Sequence, residues 1–307
     1  RQIGRVAAAP VRQTPRLMTI MTRTMQKSGA ALLGCAFALL AMPAHAASGW
    51  GLLNMPEGVT ELSRKIYDLH MMIFWWCVAI GIFVFGWMIW AIVAFRKSKG
   101  AVANTAMVHS TKAEIVWTLI PVVILVAMSV PSARVLIDIE DARNTELTVR
   151  VTAYQWKWQY QYLGTDVSLY STLAHESNTA RQLQSGIDPE TVPNYLLDVD
   201  HPLVVPAGTK VRLLITAQDV IHAWWVPDFG MKKDAIPGLI NEMWIKVDTD
   251  KTGRYRGQCA ELCGRDHGFM PIVVDVLSKG DFEAWLAAQQ AAVKQAAAPK
   301  TAAPSIS

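Results

Sequence analysis

Two long runs without a charged residue dominate the first half of the chain. The first extends from Met71 to Phe95 and the second from Ile115 to Ala133. A helix needs about 20 apolar residues to cross the hydrocarbon core of a bilayer, which is roughly 30 Å thick. We therefore predict a transmembrane hairpin within residues 47–137, with helices at about 70–95 and 115–137.

After the second run, the chain changes to short segments in which apolar and polar residues alternate. Alternation at period two predicts β-strands, and turn signals such as Pro206-Ala-Gly208 separate them. Many short strands without intervening helices favour a β-sandwich or barrel. The predicted strands are Leu147–Tyr154, Tyr154–Tyr160, Tyr195–Val199, Leu203–Val205, Lys210–Ala217, Met243–Val247, Gly253–Gly257 and Pro271–Leu277. We assign residues 138–280 to this domain.

Two segments depart from the strand pattern. Residues 164–193 are polar and weakly patterned, so we expect a long surface insertion there. Residues 281–307 begin with Asp281, a helix-capping residue, and end in an Ala/Pro-rich stretch. This composition predicts a terminal helix as far as Lys294 and a disordered tail from Gln295 onwards.

Residues 1–46 are interpreted as upstream sequence and a signal peptide. Lys27 precedes an apolar stretch from Gly29 to Met42 and a small-x-small cleavage site that ends at Ala46. Lipoprotein cleavage at Cys35 is the alternative, although the apolar run continues past that residue.

The orientation of the hairpin follows from its basic residues. The link between the two apolar runs carries four basic residues, and basic links remain in the cytoplasm. These residues are Arg96, Lys97, Lys99 and Lys112. Together with the signal peptide, this link places the strand-rich domain on the outer side of a cytoplasmic membrane.

The net charge of +4 conceals an uneven distribution of charge. From Asp138 to Glu283 there are 21 Asp and Glu residues against 14 Lys and Arg residues, a difference of −7. An acidic exported domain can steer a basic partner by long-range attraction. An ordinary solvated surface would give the same count, so both interpretations remain open at this point.

Metal-binding chemistry is concentrated in one loop and one distant residue. Cys259, Cys263, His267 and Met270 lie within twelve residues between two predicted strands. Thiolate, imidazole and thioether ligands select copper, and blue-copper sites combine such a loop with a distant histidine, here His222. Because one copper needs only one thiolate, the second cysteine predicts a pair of coppers bridged by both sulfur atoms.

The remaining ligands complete this predicted centre. His222 and His267 would each terminate one copper, Met270 would be a weak axial ligand, and the backbone carbonyl of Glu261 would be the sixth ligand. A disulfide or a zinc site is the alternative for the two cysteines. A structural zinc site does not use methionine, and the spacing matches no common zinc pattern.

The loop, His222, the Tyr154–Tyr160 aromatic segment and the two apolar runs together closely resemble subunit II of haem–copper cytochrome c oxidases. The resemblance covers roughly Glu61 to Ser278, and the segments Asp219–His222, Met231–Gly238 and Gly257–Val273 match the family's own sequence pattern. It implies a cupredoxin-like β-barrel or sandwich on a two-helix hairpin. It also implies a CuA centre that accepts electrons from cytochrome c and passes them to the haem of subunit I. That subunit reduces O2 to water, coupled to proton translocation.

The resemblance further implies roles for single residues. Trp156 matches the tryptophan that receives electrons from cytochrome c, although a core aromatic residue is the simpler alternative. Glu114 resembles the glutamate at the mouth of the lysine-lined proton channel of subunit I, but an acid at a helix N-terminus is also favoured by the helix dipole. The Glu261 side chain matches a ligand of a Mg²⁺ ion shared with subunit I. The acids expected to guide cytochrome c are Asp200, Asp219 and Asp234.

Partners and location also follow from the resemblance. We expect association with subunits I and III in a bacterial inner membrane, with the copper domain in the periplasm and no nucleic-acid partner. Haem is expected only in subunit I, because neither apolar run contains a histidine. Quinol-oxidase relatives keep the fold but lose the copper ligands, whereas all six positions are filled here. A membrane-anchored copper-binding assembly factor or electron carrier is the other alternative.

Overall fold

The computed structural model describes residues 54–102 and 109–297. The predicted signal peptide and residues 298–307 of the predicted tail lie outside this part of the chain. The described residues form two long helices, a β-sandwich and a terminal helix. The helices are α1 (Glu61–Ala94), α2 (Thr111–Glu140), α3 (His175–Ala180) and α4 (Lys279–Ala297).

Helices α1 and α2 form the predicted apolar hairpin and contact each other. Both are long and apolar enough to cross a membrane, and the protein itself does not bury their apolar windows. They begin earlier than predicted because polar first turns are capped. The Thr60 hydroxyl accepts a hydrogen bond from Ser63 N at the start of α1, and Ser110 caps α2 in the same way.

Ten strands make up two five-stranded sheets. The strands are β1 (Leu147–Tyr154), β2 (Lys157–Tyr162), β3 (Ser168–Ser171), β4 (Leu203–Pro206), β5 (Val211–Ala217), β6 (His222–Trp225), β7 (Lys232–Ala235), β8 (Asn241–Ile245), β9 (Gly253–Cys259) and β10 (Pro271–Leu277). The strand orders are β3-β2-β1-β5-β8 and β4-β10-β9-β6-β7. Pairs β1–β5 and β4–β10 are parallel and the other pairs are antiparallel.

The core of the sandwich comes from residues that alternate along the strands. On β2, Trp158, Tyr160 and Tyr162 are buried, whereas the residues between them are half-buried. The Tyr162 hydroxyl donates to the carbonyl of Val204 in the other sheet, and this hydrogen bond satisfies the polar group that the tyrosine brings into the apolar core. The expected all-β domain on a two-helix hairpin is therefore confirmed.

The predicted continuous strand from Tyr154 to Tyr160 is wrong. The chain reverses at Gln155 and Trp156, and Tyr154 pairs with Lys157 in an antiparallel hairpin. The aromatic alternation continues through this turn, and the turn contains neither glycine nor proline. The sequence pattern therefore gave no sign of a reversal.

Four other features differ from the expectations. Tyr195–Val199 is not a strand, since Asn194 and Leu196 have positive φ and only Val199 forms an isolated bridge, to Leu173. The polar segment 164–193 contains β3 and α3, and strands β6 and β7 were not predicted. Helix α4 includes residues 295–297, which were assigned to the disordered tail.

Hydrogen bonds fasten the hairpin to the sandwich. Val59 N donates to the Asp228 carbonyl (2.9 Å), and the Thr60 hydroxyl donates to the Phe229 carbonyl (3.3 Å). On α2, Trp244 Nε1 donates to the carbonyl of Asp138 (3.2 Å). The junction therefore uses both helices, and the sandwich is held by more than a single linker.

Candidate metal centre

Paired strands and one loop bring the predicted ligands together. His222 opens β6 and Cys259 closes β9, and these strands are adjacent, with Trp224 opposite Cys259. Cys263, His267 and Met270 belong to the loop that leads from β9 to β10.

The sulfur atoms form the middle of the cluster. Cys259 Sγ lies 3.9 Å from Cys263 Sγ and 3.9 Å from His222 Nδ1. Cys263 Sγ lies 3.5 Å from His267 Nδ1 and 3.5 Å from Met270 Sδ. Both cysteines are free thiols. His222, both cysteines and Met270 are buried, and His267 is half-buried.

The carbonyl of Glu261 also faces the cluster. Cys259 Sγ donates to this oxygen at 3.4 Å. The donor set therefore consists of two thiols, two imidazoles, one thioether and one carbonyl. This set fits copper, because thiolate, imidazole and thioether donors are the combination that copper sites use.

The titration behaviour of the cluster follows from its burial and its internal hydrogen bonds. Burial disfavours the charged form of His222, but hydrogen bonds to Cys259 and Asp219 outweigh this effect and raise its pKa. Burial would also raise the pKa of Cys259, but the bond to His222 and nearby backbone groups lower it. Burial and then the neighbouring Cys259 charge raise the pKa of Cys263. Thiol ligands bind metals as thiolates, so a metal held by Cys263 would displace the proton of its thiol.

Asp219 orients the His222 ring. Its Oδ1 lies 2.9 Å from His222 Nε2, and a carboxylate can only accept, so Nε2 carries the proton. Nδ1 is then the ring nitrogen that faces Cys259. Such carboxylate–histidine pairs fix the tautomer of metal-binding histidines. The same carboxylate accepts from the backbone N–H groups of Gln155 and Val220, both at 2.7 Å.

The tip of the β1–β2 hairpin lies against the metal loop. Gln155 Nε2 and Trp156 Nε1 both donate to the carbonyl of Cys263, at 2.9 and 3.2 Å. Trp156 is half-buried and therefore still has an accessible edge. Behind the loop, Trp158 Nε1 donates to the carbonyl of Met270 (3.4 Å), and its ring lies edge-on to His222.

The remaining predicted residues lie apart from the cluster. Glu114 is in the first turn of α2, where Oε1 contacts His109 Nδ1 at 2.8 Å. The Glu261 side chain is exposed. Asp200 accepts from Thr172 N and Oγ1 at 2.7 and 2.8 Å, and Asp234 is exposed on β7.

Sequence reasoning missed the supporting residues of the site. Asp219 was assigned only to docking, although its position three residues before His222 was a signal for a role at that histidine. Nothing in the sequence pattern indicated that Gln155 would reach the Cys263 carbonyl, or that Arg181 would contact the loop at Asp266, because these pairs are far apart in the chain.

Comparison with known proteins places this architecture in a family. The model of the cytochrome c oxidase subunit II periplasmic domain matches residues 147–277, and the model of the transmembrane domain of the same subunit matches residues 47–135. The probable cytochrome c oxidase subunit 2 of Rickettsia felis is 39% identical over 255 residues, which cover 83% of this chain and 76% of the relative. The corresponding Rickettsia prowazekii protein is 40% identical, with coverages of 78% and 72%. The crystal structure of the periplasmic domain of cytochrome oxidase subunit II from Bradyrhizobium japonicum is 38% identical, covers 49% of this chain and 98% of that domain, and gives a TM-score of 0.41.

Two apolar helices followed by a cupredoxin-like sandwich with a Cys/His/Met loop define a membrane-anchored, metal-binding class of protein. Within that class, the chain belongs to the cytochrome c oxidase subunit II family. It is therefore part of an oxidase complex, and its fold agrees with the fold expected from the sequence.

Proposed function

We propose that this chain is the electron-entry subunit of a cytochrome c oxidase and that it holds a dinuclear CuA centre. Copper bound here would supply one-electron redox chemistry between cytochrome c and the haem of subunit I. The thiolates of Cys259 and Cys263, the imidazoles of His222 and His267 and the thioether of Met270 would hold the two metals. The sixth ligand would be the Glu261 carbonyl.

One observation carries this proposal. Two sulfur atoms 3.9 Å apart lie between two imidazoles, with a thioether and a carbonyl at the edges. A single-copper site would use one of these thiols and would leave the other buried without a function. The buried environment of His222, Cys259 and Met270 would also exclude water from the centre.

Copper stoichiometry tests the proposal directly. We expect purified full-length protein to bind about two coppers per chain, with a spectrum in which one electron is shared by both metals. Cys263→Ser should lose this signature, because only one bridging thiolate remains. Cys77→Ser is the matched control, since Cys77 lies on the exposed surface of α1. One copper per wild-type chain, or a signal localised on one metal, would contradict the dinuclear centre.

We further propose that electrons enter at Trp156. Its accessible ring is connected to the Cys263 carbonyl by the 3.2 Å hydrogen bond from Nε1. Trp156→Ala should keep its copper but oxidise cytochrome c far more slowly. Trp156→Phe keeps an aromatic ring but lacks the indole N–H group, so it distinguishes the contribution of the ring from that of the hydrogen bond to Cys263. Normal oxidation by the alanine variant would remove Trp156 from the electron path.

The exposed acids would guide a basic cytochrome c. Asp234 is the clearest candidate, because Asp200 and Asp219 also accept hydrogen bonds within the domain. Long-range steering weakens with ionic strength. Asp234→Asn should therefore slow cytochrome c oxidation at low salt and have little effect at high salt. An equal effect at both salt concentrations would argue against docking by this residue.

The other assignments concern the complex. We propose that the Glu261 carboxylate binds a Mg²⁺ ion shared with subunit I, and that Glu114 lies at the mouth of a proton channel in that subunit. The chain would lie in a bacterial inner membrane with subunits I and III, both helices spanning the bilayer and the β-domain in the periplasm. Copurification with a haem-bearing, many-helix subunit would support this assembly. Isolation of the chain alone under the same mild conditions would favour a freestanding copper carrier.

A further inference from the structure

The segment 164–193 contacts the metal loop, although the sequence indicated only a surface insertion. Its helix α3 is anchored just before its first residue and at its middle. Leu173 forms a bridge with Val199, and the Asp200 carboxylate accepts two hydrogen bonds from Thr172. The buried Ser177 hydroxyl accepts from Leu196 N at 3.1 Å. Helix α3 is therefore a fixed point from which a side chain can hold the loop.

Arg181, the residue after α3, reaches that loop. Its guanidinium carbon lies 4.3 Å from the centre of the Phe269 ring, and one guanidinium nitrogen lies 3.6 Å from an Asp266 carboxylate oxygen. Nε donates to Asn178 Oδ1 at 2.8 Å, which fixes the guanidinium plane. The side chains of Arg181 and Asp266 are only 21% and 15% exposed, so water screens this pair less than an ordinary surface ion pair.

The two contacts of Arg181 are with residues that immediately precede two predicted ligands of the loop. Asp266 immediately precedes His267, and Phe269 immediately precedes Met270. Residues His267–Phe269 form one short 3₁₀ turn, whose own hydrogen bonds are local: His267 N to the Gly264 carbonyl and Phe269 N to the Asp266 carbonyl. Such local bonds preserve the shape of the turn but do not fix its orientation toward Cys263.

We propose that Arg181 is a positioning residue of the metal loop. By holding Asp266 and Phe269 at once, it fixes the orientation of the turn and thereby places the His267 imidazole and the Met270 thioether beside Cys263. Arg181 also lines a cavity of about 180 Å³ that extends to Trp156, so its removal would open more space for water beside the loop.

The test compares Arg181→Gln and Arg181→Lys with Arg143→Gln in the full-length protein. Arg143 serves as the control because it also pairs with an aspartate, Asp141. It lies before the start of β1, whereas the metal loop contacts the turn at the end of β1, so the Arg143 pair does not touch the loop. The first measurement is amide hydrogen exchange of residues 264–270 without metal. The second is the rate of copper release to a chelator, recorded with the copper hyperfine spectrum.

We expect Arg181→Gln to accelerate amide exchange and copper release roughly three- to tenfold. This range corresponds to the loss of one partly desolvated cation–π contact and one ion pair. The hyperfine spectrum of Arg181→Gln should be altered. Arg181→Lys keeps the charge but loses the planar stacking, so it should recover part of each effect. Arg143→Gln should match the wild type. If Arg181→Gln does not fold, Arg181→Lys and Asp266→Asn provide the same comparison.

The copper measurements rest on the proposed function, whereas the exchange measurement does not. If wild-type protein fails to bind about two coppers, the copper proposal fails, and exchange of the metal-free loop still decides the role of Arg181. Normal copper loading together with wild-type exchange, release and spectrum in Arg181→Gln would overturn the inference. Equal changes in Arg143→Gln would overturn it as well.

Discussion

Replacement of Gly257 by alanine should disturb the metal centre from within the sheet. Gly257 lies on β9, two residues before Cys259, and a Cβ atom there would be 2.0 Å from the carbonyl oxygen of Trp225 on β6. Ordinary contacts begin at about 3.4 Å, so the two strands must separate by about 1.4 Å (3.4 − 2.0). The strands share only two registered pairs, Trp224–Cys259 and Trp225–Gln258. The displacement therefore acts directly on Cys259 and on its distance to His222.

The expected magnitude follows from the cost of overpacking. Extra methyl groups in a well-packed site cost about 1–3 kcal/mol. In a domain of this size, each kcal/mol lowers Tm by roughly 2–4 °C, so Gly257→Ala should lower Tm by roughly 2–12 °C. Because the shift moves Cys259 away from His222, we also expect a marked loss of bound copper.

Gly268→Ala is a stringent control for this prediction. Gly268 lies in the loop that follows β9, and its replacement adds the same methyl group, but no heavy atom lies within 4 Å of its Cβ position. Thermal unfolding of the purified full-length chain, followed by tryptophan fluorescence, and copper per chain would be measured for both variants. We expect Gly268→Ala to resemble the wild type. If Gly257→Ala has the same Tm and the same copper content as Gly268→Ala, the close approach of β9 to β6 does not restrict the side chain at position 257.

Three further predictions test the supports of the fold and the site. Asp219→Asn should weaken copper binding about tenfold by removing the carboxylate from His222; equal affinity in Asp219→Asn and Asp234→Asn would exclude this role. In chemical denaturation, Thr60→Ala should lower the free energy of unfolding by about 1–2 kcal/mol because the N-cap is lost, whereas Thr60→Ser should remain close to the wild type. Equal losses in both variants would contradict the capping role. Copper at about 100 times its Kd should stabilise the β-domain in thermal unfolding by about 2.7 kcal/mol for each ion bound, and a similar gain in His222→Ala would show that copper binds elsewhere.

The parts of the molecule that were predictable share one property: their signals are local in sequence. Uninterrupted apolar runs indicated α1 and α2, and alternation indicated strands such as β5 and β10. Cys263, His267 and Met270 lie in one loop directly after Cys259, so their proximity followed from spacing alone. His222 could be predicted as a ligand because such metal loops need a distant histidine.

The hairpin turn at Gln155 and Trp156 shows why other features were not predictable. Periodicity reports which residues face the core, and a tight reversal that keeps the alternation in phase leaves that pattern unchanged. Trp156 consequently looked like one member of an aromatic stripe with Trp158. In the structure, Trp158 is fully buried, whereas Trp156 lies at the hairpin tip against the Cys263 carbonyl.

The supports of the metal loop have a common origin outside the loop. Asp219 precedes β6, Gln155 lies between β1 and β2, and Arg181 follows α3, yet each contacts a ligand or the residue next to one. A loop with two glycines and few regular hydrogen bonds cannot by itself hold its four donors, from Glu261, Cys263, His267 and Met270, at fixed separations, because each free backbone torsion carries an entropy cost on ordering. Contacts from the surrounding elements hold the loop in place when the domain folds. The ligand types were therefore predictable from the loop sequence, whereas two of the groups that position them, Gln155 and Arg181, became visible only after residues about 85 to 110 positions apart had been brought together.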